Sequence, residues 1–181
     1  MSIIDLWLPI LVSSVLLWIV SALIWTVLPW HKNDFSKVED EEGARTALKG
    51  LSPGFYNVPH CVDQKALKDP AMQQKFKDGP LAFITILPNG MPPMGRNMAL
   101  SFLNGVFICV LCAYFVTRTV DPNASYLAVF RIAGTVTWVA YGVAYIQDSI
   151  WFGRPWSITM KSLMDALIYG LLTGGIFGWL V

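Results

Sequence analysis

Apolar and polar positions fall into long separate blocks along this chain. Four stretches, 6–29, 98–117, 127–146 and 162–181, contain only two charged residues, Arg131 and Asp165. Each stretch runs 20 residues or more. A helix rises about 1.5 Å per residue and needs roughly 20 residues to cross a 30 Å hydrocarbon core. The pattern predicts an all-α membrane protein with four transmembrane helices and a small mixed α/β cytoplasmic insertion between helices one and two. Three parts follow: an N-terminal transmembrane anchor over 1–29, a cap over 30–97 and a three-helix transmembrane bundle over 98–181.

The first block differs from a secretory signal. No Lys or Arg precedes it, it is 24 residues long, and it ends in Pro29-Trp30-His31-Lys32 with no small-residue cleavage site. A signal peptide has a basic start and an apolar core of roughly 7–15 residues. The block reads as a retained anchor.

The polar segment 30–97 carries local structure signals. Ser36-Lys37-Val38-Glu39 matches a capping box, in which serine and glutamate satisfy the open amides of a helix start. A helix is predicted from there to Lys49, with Gly50 as a left-handed stop and Glu39, Asp40, Glu41 and Glu42 on the positive end of the dipole. Asp69-Pro70 opens a second helix that ends at Gly79. Gly54–Val58 and Leu81–Leu87 read as strands, the second closed by Pro88-Asn89-Gly90. A two-stranded sheet is marginal in water by itself. The cap is therefore expected to rest on lipid, on the bundle or on a partner.

Composition fits the blocks: 55% hydrophobic and 14% charged, where a soluble chain carries roughly 25% charged residues. A net charge of +1 offers no cationic excess to neutralise phosphates, which argues against nucleic acid. The basic residues are asymmetric. Segment 30–97 holds nine, and Arg154 and Lys161 add two on the same side, against Arg118 and Arg131 on the other. The positive-inside rule then places 30–97 in the cytoplasm, with both termini outside.

Few residues bear chemistry. His31 and His60 are the only histidines, and both fall outside the predicted spans. That argues against haem held within the bundle, which needs axial ligands there. His60-Cys61 with Asp63 is a weak zinc candidate against a catalytic set of three ligands, and a turn after Pro59 accounts for it better. Cys109 and Cys112 form a C-x-x-C inside the second span, where a thiolate is poorly solvated and cysteine packs as a small apolar residue. No phosphate-binding loop, nucleophile elbow or His-Glu-x-x-His helix occurs. These observations predict no cofactor, no metal and no catalytic residues. The sequon Asn123-Ala124-Ser125 matters only in a eukaryotic source.

The two intramembrane charges are sharper features, because ionisable residues in a span face protein, water or a partner. Arg131 lies close enough to the outer end to snorkel. Asp165 lies near the inner end of span four, where a helix start suits its charge. It is expected to face the inner end of span three, and a direct pair with Arg131 is not. Gly170, Gly174 and Gly178 recur every four residues on span four, a face that lets two helix backbones approach. Gly134, Ala140, Gly142 and Ala144 make span three a suitable internal partner. Trp7, Trp30, Trp151, Trp156 and Trp179 fall near the interfaces as an aromatic belt. Trp18 and Trp25 share a packing face. Ile150–Trp156 is expected to lie flat at the headgroups.

The run Asp148–Trp156, the Gly79-Pro80 and Pro88–Gly95 stretches and the ending Phe177-Gly178-Trp179-Leu180 resemble a family of uncharacterised bacterial four-span proteins. The resemblance covers the chain from about Trp30 onward and implies a bacterial inner membrane, with no activity attached. Three function classes stay open. The first is an accessory, scaffolding or assembly subunit of a larger respiratory or photosynthetic membrane complex. The second is a small oligomeric transporter or channel. The third is a membrane enzyme acting on lipid or quinone through Asp165 or the His60-Cys61 turn. The thin polar inventory favours the first, with the lipid bilayer and other membrane subunits or a second copy as partners.

Overall fold

The computed structural model describes residues 2–121 and 123–181. Among them are seven α-helices and one sheet: α1 (Trp7–Thr26), α2 (Glu41–Leu48), β1 (Gly54–Val58), α3 (Pro70–Asp78), β2 (Ala82–Ile86), α4 (Met94–Thr119), α5 (Tyr126–Trp138), α6 (Ala144–Phe152) and α7 (Trp156–Leu180). A π-helical turn, Val139–Val143, joins α5 to α6 in one rod. Four rods, Ile4–Thr26, Met94–Thr119, Tyr126–Phe152 and Trp156–Leu180, are long and apolar enough to cross a membrane. The chain divides into two units: residues up to Phe35 with Pro93–Val181, and Ser36–Pro92. Residues 30–35 and 93–97, read from sequence as part of the cap, thus belong with the helical bundle.

In the bundle unit, α1, α4, the α5–α6 rod and α7 enclose Leu17, Ile24, Cys109, Cys112, Val116, Ala133 and Phe177. The tightest approach is between α5 and α7, and the glycine ridge explains it. A Cβ on Gly170 would lie 2.7 Å from the Gly134 carbonyl oxygen, and one on Gly174 would lie 2.7 Å from that of Phe130. At Gly178 it would meet the Tyr126 ring at 2.8 Å. Backbones this close gain dispersion contacts along the whole ridge. All three glycines face the third rod of their own chain.

The third and fourth rods extend further than the apolar blocks. The third runs to Phe152 and stops where Gly153 adopts φ 69°, a left-handed cap that glycine takes without a Cβ penalty. Pro155 then precedes α7, which starts at Trp156. The flat segment expected over Ile150–Trp156 is therefore reduced to Gly153–Pro155, and Trp151 and Trp156 ride on helices. A hydropathy reading stops at Gln147 and Asp148, although helix hydrogen bonding continues through them.

The second unit is a β1–β2 antiparallel pair, with Tyr56 opposite Ile84 and Gly54 opposite Ile86. The helix between the strands, α3, opens as expected: Asp69 accepts from the Ala71 amide at 2.9 Å, Pro70 follows, and Gly79 closes it at φ 66°. The preceding helix does not begin at the Ser36–Glu39 capping box. Asp40 is the cap, accepting from the Gly43 amide at 2.9 Å, so α2 starts at Glu41. Nor is Gly50 left-handed. The last turn closes through Lys49 N–H on the Thr46 carbonyl with Lys49 right-handed, so no positive φ is required.

Candidate functional site

The hydrogen-bond partner of Asp165 comes from beyond the end of α1. It is a histidine that sequence reading had left outside the spans. Beyond α1 the chain folds through a short 3₁₀ turn, Pro29–His31, in which Pro29 presets the backbone. The turn swings His31 back against α7, where its ring is 4% exposed. Its Nδ1 lies 2.6 Å from Asp34 Oδ2 and its Nε2 lies 2.8 Å from Asp165 Oδ2. The Trp25 indole stacks on the imidazole, with ring centres 3.9 Å apart and planes 4° from parallel. Lys161, one turn before Asp165 on the same face of α7, donates to Asp34 Oδ1 at 2.5 Å. The cluster thus runs Lys161–Asp34–His31–Asp165, with both carboxylates almost fully buried.

The geometry fixes a proton count. Two N···O contacts at hydrogen-bond distance each need a proton between the atoms. Asp34, His31 and Asp165 must therefore hold two protons among them: an imidazolium between two carboxylates, or a neutral ring beside one carboxylic acid. With one proton, a ring nitrogen would oppose a carboxylate lone pair, and the contact would open. Asp165 Oδ1 is buried with no hydrogen-bond partner among the described residues, which leaves one acceptor position of the cluster unused.

Burial by itself pushes the Asp34 carboxyl up. The hydrogen bonds from Lys161 and His31 outweigh that and hold it below the usual carboxylate range. A depressed carboxylate contributes stability that is fully present above the unfolded value, about 3.9, and lost as pH falls through the folded one. Acidification below about pH 4 is therefore expected to lower the thermal midpoint of the wild type, and Asp34→Asn is expected to flatten that dependence. Melts in detergent across acidic pH values check it.

A second group of polar atoms lies beside the cluster. Trp25, and Tyr169 one turn beyond Asp165, line a cavity of about 220 Å³ whose walls also carry Ser14, Ser21, Tyr141 and Tyr145. Tyr141 comes from the π-helical turn, a distortion that occurs frequently at functional sites. At the same end of the bundle, Arg154 lies 4.3 Å over the Tyr145 ring and donates to Ser162 Oγ at 3.0 Å.

The other sequence candidates stand apart from this cluster. Arg131 is exposed, makes no ion pair among the described residues and follows Phe130, which packs on Gly174. That level is nine residues along α7 from Asp165, about 13 Å at helical rise. The two charges are not brought together. Cys109 and Cys112 are buried free thiols. Cys112 Sγ donates to the Ala133 carbonyl at 3.5 Å, a packing contact. His60 bonds Asn57 at 2.7 Å and Cys61 bonds the Asp63 carbonyl at 3.2 Å, both within the local turn. No three His, Cys, Asp or Glu side chains are placed to hold a metal ion among the described residues.

His31, Asp34 and Lys161 are the residues that sequence reading missed. The available signal was Lys161 and Asp165 one turn apart, facing a His-x-x-Asp held at the end of α1 by Pro29. No family model, curated protein or solved structure matches this chain.

Proposed function

We propose that the chain is a multi-pass protein of a bacterial inner membrane that holds an exchangeable proton at its cytoplasmic end and serves as a proton-linked subunit of a larger membrane assembly. The observation that carries this is His31 bridging two buried carboxylates. Buried ionisable groups in a membrane bundle are costly and mark proton or ion sites. A cluster that needs two protons to keep both contacts couples proton loss to the seating of the 29–35 turn on α7. The polar inventory is not thin at this end of the bundle, where four ionisable side chains converge.

The eleven-to-two bias of basic residues supports putting that end, and the 36–92 unit, in the cytoplasm. The glycine ridge is occupied within the chain, so contact with a partner falls to the exposed aromatic faces, where Trp7, Trp151 and Trp179 are 61–81% exposed. Mild detergent extraction followed by native electrophoresis is expected to show the chain in an assembly larger than its own 20.2 kDa. His31→Gln is expected to leave that migration unchanged and to remove one exchangeable proton from a titration of the purified assembly. A chain that migrates alone, or a titration that His31→Gln does not alter, refutes the proposal.

A further inference from the structure

We infer that the cleft between α1 and α4 binds an isoprenoid quinone or quinol, head in the polar cavity and tail along an adjoining apolar groove. The inference rests on the membrane reading and not on the proton account. Two hollows share one wall, Trp18. The first is the cavity of about 220 Å³ between α1, α4, α7 and the third rod. The second, about 420 Å³, is lined by Val15, Gly95, Met98, Ala99 and Phe102 beside Trp18 and is almost wholly apolar. Together they fall within the roughly 300–1,000 Å³ of small-molecule sites. A polar end joined to an apolar run is the shape of an amphiphile.

The lining narrows the ligand class. No charged side chain faces the cavity, so a charged head would be desolvated without compensation and the head must be neutral. Its walls are aromatic, with Trp18, Trp25 and three tyrosines offering ring faces to a planar group. Ser21 donates its hydrogen to Trp18 O at 2.9 Å, which leaves its partly exposed oxygen as an acceptor, whereas Ser14, donating to Ile10 O at 2.7 Å, is fully buried. The hydroxyls of Tyr141 and Tyr145 have no hydrogen-bond partner among the described residues and are free to donate. Donors on one wall and an acceptor on the other suit a ring that carries carbonyls when oxidised and hydroxyls when reduced.

Entry is lateral. Ser101 and Trp25 at the cavity and Val15 and Met98 at the groove are exposed on the outside of the bundle, the side that faces hydrocarbon in the membrane reading. Trp18 is held between the two hollows by its indole N–H on the Met98 carbonyl at 3.3 Å and by an edge-on contact with Phe102. Only binding is inferred; no electron transfer is assigned to this chain.

The test uses the full chain in lipid nanodiscs with decylubiquinone as probe and decanol as the tail-only control, read by quenching of tryptophan fluorescence and by equilibrium dialysis. Decylubiquinone is expected to bind saturably and decanol to compete at least ten-fold more weakly. Gly105 lines the cavity, and a Cβ there would lie 3.5 Å from the Tyr141 hydroxyl, so Gly105→Leu fills the head site. It is expected to weaken quinone binding at least ten-fold. The double change Tyr141→Phe, Tyr145→Phe keeps the shape, removes the donors and is expected to weaken binding several-fold. It decides the matter if the leucine variant fails to fold. Equal competition by decanol, absence of saturable binding, or wild-type affinity in the folded variants overturns the inference. A chain that does not fractionate with membranes refutes the membrane reading instead, so the two failures are told apart.

Discussion

Replacing Asp165 with leucine is expected to destabilise the bundle by about 3–5 kcal/mol, the usual cost of removing one partner from a buried ion pair. His31 Nε2 loses its acceptor at 2.8 Å, and Lys161 and His31 are left facing a single carboxylate, Asp34. The double change His31→Leu, Asp165→Leu is expected to recover most of that loss. It removes both partners of the contact together and leaves the Lys161–Asp34 pair, at 2.5 Å, intact. A coupling of roughly 0.5–3 kcal/mol between the two positions is the scale for side chains in one network. Chemical unfolding in micelles, followed by tryptophan fluorescence, measures all three variants. A single Asp165→Leu variant as stable as the wild type would show that the contact carries no weight.

The second large effect is expected at the glycine ridge. Even alanine at 174 would place its Cβ 2.7 Å from the Phe130 carbonyl and 3.2 Å from Gly134 Cα, backbone atoms that cannot swing away. Gly174→Ala is expected to cost about 1–3 kcal/mol through overpacking, and Gly174→Leu more. Gly175, the next residue, is the internal control. Its added Cβ meets only the Tyr126 hydroxyl, at 3.7 Å, so Gly175→Ala is expected to be neutral or slightly stabilising, since alanine is the better helix former. Thermal shift and extraction yield compare the pair. Equal behaviour of the two alanine variants would mean that α5 and α7 are not in close contact.

The four apolar rods, the β1–β2 strands and the Asp69–Gly79 helix could be read from sequence because each rests on local signals: span length, alternation, a cap followed by proline. The start of α2 was misread because Asp40 looks like a first-turn acid, and only the folded backbone shows that it caps the helix by reaching the Gly43 amide. Helix continuation through Gln147 and Asp148 was hidden for a related reason. Hydropathy reports what lipid tolerates, whereas a helix ends where its hydrogen bonding ends, here at Gly153. The site is a different case. Asp165 stood out as a charge in an apolar block, but its partner lies 134 residues away, beyond any local period. His31 fell outside the predicted spans because counting residues along a span says nothing of a turn that folds back. The cavity was equally hidden: its serines and tyrosines are dispersed over four rods and read individually as ordinary membrane-helix residues.

His31 is hydrogen-bonded at both ring nitrogens, to Asp34 at 2.6 Å and to Asp165 at 2.8 Å, and the nitrogens report this directly. The chain has two histidines, so ¹⁵N-histidine labelling gives two ring spin systems, with exposed His60 as reference. Nitrogen NMR of the protein in lipid is expected to show both His31 nitrogens in short hydrogen bonds, and Asp165→Asn is expected to alter the Nε2 signal while leaving His60 unmoved. A His31 ring with one free, unbonded nitrogen, or a spectrum indifferent to Asp165→Asn, would contradict it.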